Sequence, residues 1–386
     1  MFGQKRIPLF QRNRKKSIFM DILSKQNWNQ NMKKKIFCVF FCLLLVFFPG
    51  CSSQKYTRYR GEFYGTFDTV VTIVGYVQKE RDFDRYLQYT QERFRYFHQL
   101  FDRYESYDGV ANIKTINDNA GIAPVEVSED LFGFLQYCMQ WCEKSDGQVN
   151  IALGPVLEIW HDYRERYENA AAGELPPREK LEQANLLTDL QNVRLNEKEQ
   201  TVFLTEKGMS LDVGALAKGY TTEKVGKELF DMGFTSFSIS GGGNVRTFSA
   251  PQDPERSHWS ISIMNPDTAE DPNAEPVDFV YLNDLSVVTS GDYQRYYLVD
   301  GKKIHHIIDP DTLYPADYYQ SVTVITENSG EADLLSTWLF TLPLEESKKA
   351  AQKSGAQVLW VLQDDTVVYT DGYLAYSKNY GGAALN

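Results

Sequence analysis

Hydrophobic and polar positions along this chain follow two periods. Residues 66–77, TFDTVVTIVGYV, alternate in twos and predict a strand. Residues 81–104, RDFDRYLQYTQERFRYFHQLFDRY, place aromatic and aliphatic side chains at helical spacing, a long amphipathic helix with His98 as one of its packed or surface residues. Residues 128–147 open on a serine N-cap, carry acids in the first turn and close on Gly147, so they predict a second helix. Residues 169–195 run from polar to helical to strand-like, and 201–234 predict strand, strand, tight loop, helix. A glycine hairpin follows at 236–249, then a surface loop without apolar content at 265–276. Beyond residue 285 come several strands, a helix from Ala332 to about Leu339 and another over 344–354. Strands in hairpins interrupted by helices predict an α+β fold with largely antiparallel sheets and flanking helices.

The first fifty residues stand outside this pattern. Residues 33–51, KKKIFCVFFCLLLVFFPGC, join three lysines, an apolar run of about 13 residues and small residues ending in cysteine. Such a run is a secretory signal, since a spanning helix needs about 20 apolar residues. Met32 directly precedes the lysines, so residues 1–31 are expected to be an upstream extension and 32–50 the signal. FFPGCSSQ resembles a bacterial lipobox, with Phe48 where leucine is usual, which implies lipidation of Cys51 and a polar tether over 51–61. The remaining domain would span 62–386, exported and lipid-anchored on the outer face of the bacterial cell membrane.

Charge narrows the partners. Residues 1–50 hold ten Lys/Arg and one acid, so residues 51–386 carry −21 against −12 for the whole chain. That domain has no electrostatic footprint for nucleic acid. Cys138 and Cys142, at i and i+4 on a predicted helix, are expected to be core thiols, because a zinc site needs more ligands.

Four stretches could carry chemistry. LDVGALAKGY, 211–220, ends a strand at a glycine and a helix start, where free N–H groups can hold phosphate; spacing alone favours a simple turn. SGGGNV, 240–245, is either a hairpin turn or a loop facing a ligand. Asp333 and Thr337 share one helix face and offer hard oxygen ligands suited to Mg²⁺; spacing alone favours dipole compensation by the acid and back-bonding by the threonine. In HHIIDP, 305–310, an alternating strand would put His305, Ile307 and Asp309 on one face and His306 with Ile308 on the other. One metal cannot then take both histidines, which leaves one as a proton-transfer group at a cleft and one packed.

Five ordered blocks together resemble the ApbE family of FAD:protein FMN transferases: SDGQVNIALGPVLEIW, LDVGALAKGY, ISGGGNV, SGDYQRYYLVDGKKIHHIIDP and EADLLSTWLF. The resemblance implies a two-part α+β fold with FAD in the cleft between the parts. It implies Mg²⁺ on the Ala215 carbonyl, Asp333 and Thr337, and a catalytic His306 near the reacting phosphate. Asp333 is then catalytic through the metal. FAD contacts are implied for Tyr104, Gln148, Val149, Asn150, Asp212, Lys218, Ile308 and Asp309, and for Tyr64, which stands where methionine is common. Three departures are Lys218 where some members have glutamate, Leu313 where many have glycine, and Asn150 where others have aspartate. The implied reaction moves FMN from FAD to a Thr or Ser hydroxyl of an extracytoplasmic partner, releasing AMP. Two alternatives stay open: a Mg²⁺-dependent FAD pyrophosphatase, and a surface lipoprotein that binds a small molecule without chemistry. The chain lacks a DGxTGAT-like acceptor segment, so it is expected to modify other proteins.

Overall fold

The computed structural model describes residues 55–384, apart from 169, 171, 270 and 272. The extension, the signal and Cys51 fall outside the described residues. In chain order the elements begin with β1 (Thr57–Thr66), β2 (Thr69–Val77), α1 (Glu80–Phe101) and α2 (Ile113–Asp118). Next come β3 (Val125–Glu126), α3 (Glu129–Lys144), α4 (Gly154–Tyr167), α5 (Arg178–Asn185), β4 (Val193–Asn196) and β5 (Thr201–Leu204). Then follow α6 (Gly214–Asp231), β6 (Phe237–Gly241), β7 (Asn244–Phe248), β8 (Trp259–Ile263) and β9 (Asp278–Leu282). The chain closes with β10 (Ser286–Gly291), β11 (Tyr296–Val299), β12 (Lys302–His305) and β13 (Tyr319–Thr326), then α7 (Ser329–Phe340), α8 (Leu344–Ser354), β14 (Gln357–Leu362) and β15 (Val367–Tyr369).

Eight of these strands form the main sheet in the order β1-β2-β6-β7-β10-β13-β14-β15, and each neighbouring pair is antiparallel. The period-two pattern explains its two faces. Val322, Val324, Val358 and Trp360 point into the main core with α1, α6 and α7, while Ile325, Leu359 and Val361 point the other way, against β8–β9 and Tyr373. A separate core joins α4, α5 and the β11–β12 hairpin through Trp160, Leu181, Tyr297 and Ile304. The α+β class, with antiparallel sheets and flanking helices, is therefore as the periodicity predicts.

Local signals also match. Ser128 Oγ accepts from Leu131 N at 3.3 Å, the N-cap expected of α3, and Cys138 and Cys142 are buried free thiols. The expected hairpin is β6–β7, turned through Gly242 and Gly243 at φ +65° and +91°. Three expectations need correction. Thr57–Thr66 is a paired strand, so the stretch assigned as a tether, 51–61, overlaps the folded sheet. The second strand expected within 201–213 does not form, because an Asn117 side chain takes both Leu211 backbone groups, at 2.7 and 3.1 Å, and Asp212 N donates to Ile151 O at 2.8 Å. The strand through HHIIDP ends at His305, so alternation does not extend to Asp309.

Candidate active site

A cavity of about 320 Å³ opens where α1 ends, α6 and α7 approach each other and the second core meets the main sheet. Its walls combine the α6 start (Asp212 to Lys218), the 148–151 segment, the β6–β7 turn, the end of β10, residues 306–308 and one face of α7.

On the α7 face, Asp333 is buried and Thr337 half-buried. Burial raises the Asp333 pKa, while Lys218, the Gly219 amide and Asn244 pull it back. Gly219 N donates to Asp333 Oδ2 at 2.7 Å. In a regular helix that amide would serve the carbonyl four residues back, which is Ala215. The carboxylate thus competes for the partner of the Ala215 carbonyl, and both oxygens face one cavity. Thr337 Oγ1 is held loosely, 3.3 Å from Asp333 O and 3.5 Å from Ser290 Oγ. Among the described residues no cluster of three or more His, Cys, Asp or Glu side chains could hold a metal ion. The donor set here is one carboxylate, one hydroxyl and one carbonyl, all hard oxygens, which fits a small divalent cation that keeps waters and shares a substrate phosphate. Asn244, 3% exposed, lies on the same wall with its side-chain amide turned toward Asp333.

The rest of the lining is cationic and aromatic. Arg103, with 8% of its side chain exposed, pairs with Asp212 at 2.7 Å and with Glu158 at 3.2 Å. Asp212 Oδ1 also accepts from Gly214 N, the first residue of α6, at 2.9 Å, while Arg103 neutralises its charge. The Arg164 pKa is lowered by burial and by Arg295, two guanidiniums directed at one space. Lys218 donates to Gly214 O at 3.5 Å. Half-exposed Tyr104 lies 5.1 Å from the His161 ring, and buried Trp160 contributes to the same lining. In a chain this acidic, such a wall suits a polyanion carrying planar rings.

The two histidines divide as expected. His305 is packed: Nε2–H donates to Ala316 O at 2.7 Å, Nδ1 accepts from Ile307 N at 3.2 Å, and burial pushes its pKa down to about 4. His306 lines the cavity, and its Nδ1 is buried without a hydrogen-bond partner. Burial, then His305, Arg295, Arg164 and Lys218, hold its pKa well below the usual value, so it is a neutral imidazole.

Of the other expected residues, Ala215, Tyr104, Gln148, Val149, Asn150, Asp212, Lys218 and Ile308 line this cavity. Asn150 uses its amide structurally, donating to Thr188 O and accepting from Ala152 N, which aspartate could not do in full. Two residues stand apart. Tyr64 is 66% exposed near the end of β1, with only its hairpin neighbours Phe67 and Asp68 reaching the cavity. Asp309 turns away to accept from Asp311 N at 2.9 Å and Thr312 Oγ1 at 3.1 Å, shaping its own turn. In that turn Leu313 adopts φ +66°, a conformation glycine would take at least cost; its side chain is buried in the second core and Trp160 donates to its carbonyl. Arg103, Arg164, Arg295 and Asn244 were not singled out from sequence. Arg103 and Arg295 lie inside quoted blocks, beside Tyr104 and within SGDYQRYY, while Arg164 shares a helix face with Trp160 and His161.

Comparison with known proteins gives these features a family. The ApbE family profile matches residues 67–360. An FAD:protein FMN transferase of Klebsiella pneumoniae (strain 342) is 33% identical over 276 residues, 70% of this chain and 82% of the relative. One from Treponema pallidum (strain Nichols) is 32% identical over 268 residues, 66% of this chain and 72% of the relative. The crystal structure of the ApbE protein from Thermotoga maritima superposes with a TM-score of 0.71 at 29% identity, covering 83% of this chain and 98% of that one. The flavin transferase ApbE from Vibrio cholerae shares the fold, with a TM-score of 0.69 at 20% identity over 83% of this chain and all of its own. This chain belongs to the ApbE family.

Proposed function

We propose that this enzyme transfers FMN from FAD to a Thr or Ser hydroxyl of another protein, forming a phosphodiester and releasing AMP. The relatives' activity supports this reading, and one observation of this chain carries it: a buried carboxylate, a hydroxyl and a backbone carbonyl face a basic, aromatic-lined cavity beside a neutral histidine. Arg103, Arg164, Arg295 and Lys218 would bind and orient the diphosphate, and Tyr104 with His161 would stack on its rings. Asp333, Thr337 and the Ala215 carbonyl would hold Mg²⁺, which when bound neutralises charge on the diphosphate.

The hydroxyl oxygen forms a bond to the FMN-side phosphorus as the bond to the AMP-side bridging oxygen breaks. The hydroxyl proton passes to neutral His306. Burial and the neighbouring cations make the imidazolium costly, so His306 hands the proton on to the departing AMP phosphate rather than storing it. The same proposal places the enzyme outside the cytoplasm, held by lipid on Cys51, a position motivated by the lipobox-like FFPGCSSQ.

The test is purified protein with FAD, Mg²⁺ and a peptide of the type DGxTGAT, read by intact mass and by free FMN and AMP. A peptide heavier by one FMN unit, lost with EDTA, supports the transferase. AMP with free FMN and unmodified peptide would make it a pyrophosphatase. Absence of both products would leave a binding protein.

A further inference from the structure

The register of the main sheet leaves a gap beside the cavity. β7 pairs with β10 only at Ser286–Arg246 and Val287–Val245, and Thr247 N donates to Leu285 O at 2.9 Å. In an antiparallel ladder the hydrogen-bonded partners recur every second residue. Leu285 and Val287 therefore direct their N–H and C=O groups toward β7, and Thr289 and Gly291 direct theirs to the same side. There β7 has already ended. The residue that would oppose Thr289 is Gly243, in the β6–β7 turn at φ +91°, and a Cβ built on Gly243 meets nothing within 4 Å. On its other side β10 stays paired with β13 through Gly291–Ser321. Among the described residues, no backbone hydrogen bond joins Thr289 or Gly291 to the β7 side, and both line the cavity with Gly242.

We propose that this open end of β10 docks the acceptor protein, whose hydroxyl-bearing segment binds as a short added strand against Thr289 and Gly291. The inference rests on the transferase reading above. Two observations choose this occupant. The edge presents donors and acceptors in alternation, which complements a polypeptide backbone; phosphate oxygens only accept and would leave the carbonyls unpaired. Ser290, between the two open residues, lies 2.8 Å from Ser336 Oγ and 3.5 Å from Thr337 Oγ1, so a strand seated there brings its side chains to the Asp333–Thr337 face.

The test leaves the enzyme unaltered. Acceptor peptides carrying a single backbone N-methyl group, one position at a time around the hydroxyl residue, are assayed for flavinylation at fixed FAD. Two positions spaced two residues apart should raise the peptide KM at least about tenfold, through the lost hydrogen bond and the methyl clash, while intervening positions stay near wild type. Hydrogen exchange of the FAD-loaded enzyme should show residues 289–291 gaining protection only when peptide is added. A methylation profile without the two-residue period, or protection of 289–291 by FAD alone, overturns the docking strand. Absence of transfer to any peptide, methylated or not, overturns the transferase reading and this inference with it.

Discussion

Asp333 pays for its position: burial opposes its charge, and a bound cation is what would repay it. At neutral pH the metal-free Asp333→Asn variant should be more stable than wild type, because a group whose folded pKa is raised is destabilising when ionised. An asparagine Oδ1 can still accept from Gly219 N, so the fold should persist. Turnover should fall by about 100-fold or more, and Mg²⁺ should no longer shift the melting temperature. Thermal melts with and without Mg²⁺ check both halves; equal Mg²⁺ shifts in wild type and variant would remove Asp333 from the metal set. His305 makes a pH prediction of its own. Its folded pKa is lowered to about 4 from 6.5, so it is neutral in the fold and charges first in the unfolded chain. Its contribution is fully present above about pH 6.5 and is lost as pH falls toward 4, about 3 kcal/mol in all. Urea unfolding between those pH values should show a smaller loss in His305→Gln, whose side-chain amide can still donate to Ala316 O.

At the scale of elements, the site depends on how closely α6 and α7 approach. Gly219 is the contact point, since an added Cβ would run into Ser329 O and Asp333 Cβ. The two helices are also tied by Glu223, whose Oε2 accepts from Ser329 N at 2.8 Å and pairs with Arg246 at 3.0 Å. Gly219→Ala should therefore cost about 1–3 kcal/mol by overpacking and displace Asp333 from the Ala215 carbonyl. The expected signature is a lower melting temperature together with a raised Mg²⁺ requirement; a variant with wild-type Mg²⁺ dependence would show that the helix approach does not set the site. The sequence places this glycine at a helix start, but nothing in LDVGALAKGY says which helix will meet it. The expected strand ahead of it fails for a related reason. Leu211 has strand-like neighbours, yet its backbone is captured by Asn117, far away in sequence.

For the whole molecule, the acidic domain and its lipobox-like start carry the last prediction. A Cys51→Ser variant should move from the membrane fraction to the soluble fraction, with its processing blocked or altered by mass; unchanged membrane association would sink the lipid anchor. By itself the sequence determined the α+β class, the long α1, the N-cap of α3 and the β6–β7 hairpin, because period, capping residues and paired glycines act over a few residues. The ordered blocks also placed Asp333, Thr337, Asp212 and His306 in one site, while single spacings left each with a structural alternative. Tertiary structure decided the rest. It put Tyr64 and Asp309 away from the cavity walls and brought Arg103, Arg164 and Arg295 together from three separate segments. It also left the last three residues of β10, Thr289 to Gly291, beyond the reach of β7. Such placements depend on which distant backbone and charged groups meet, and long-range packing and register leave no periodic mark on the chain.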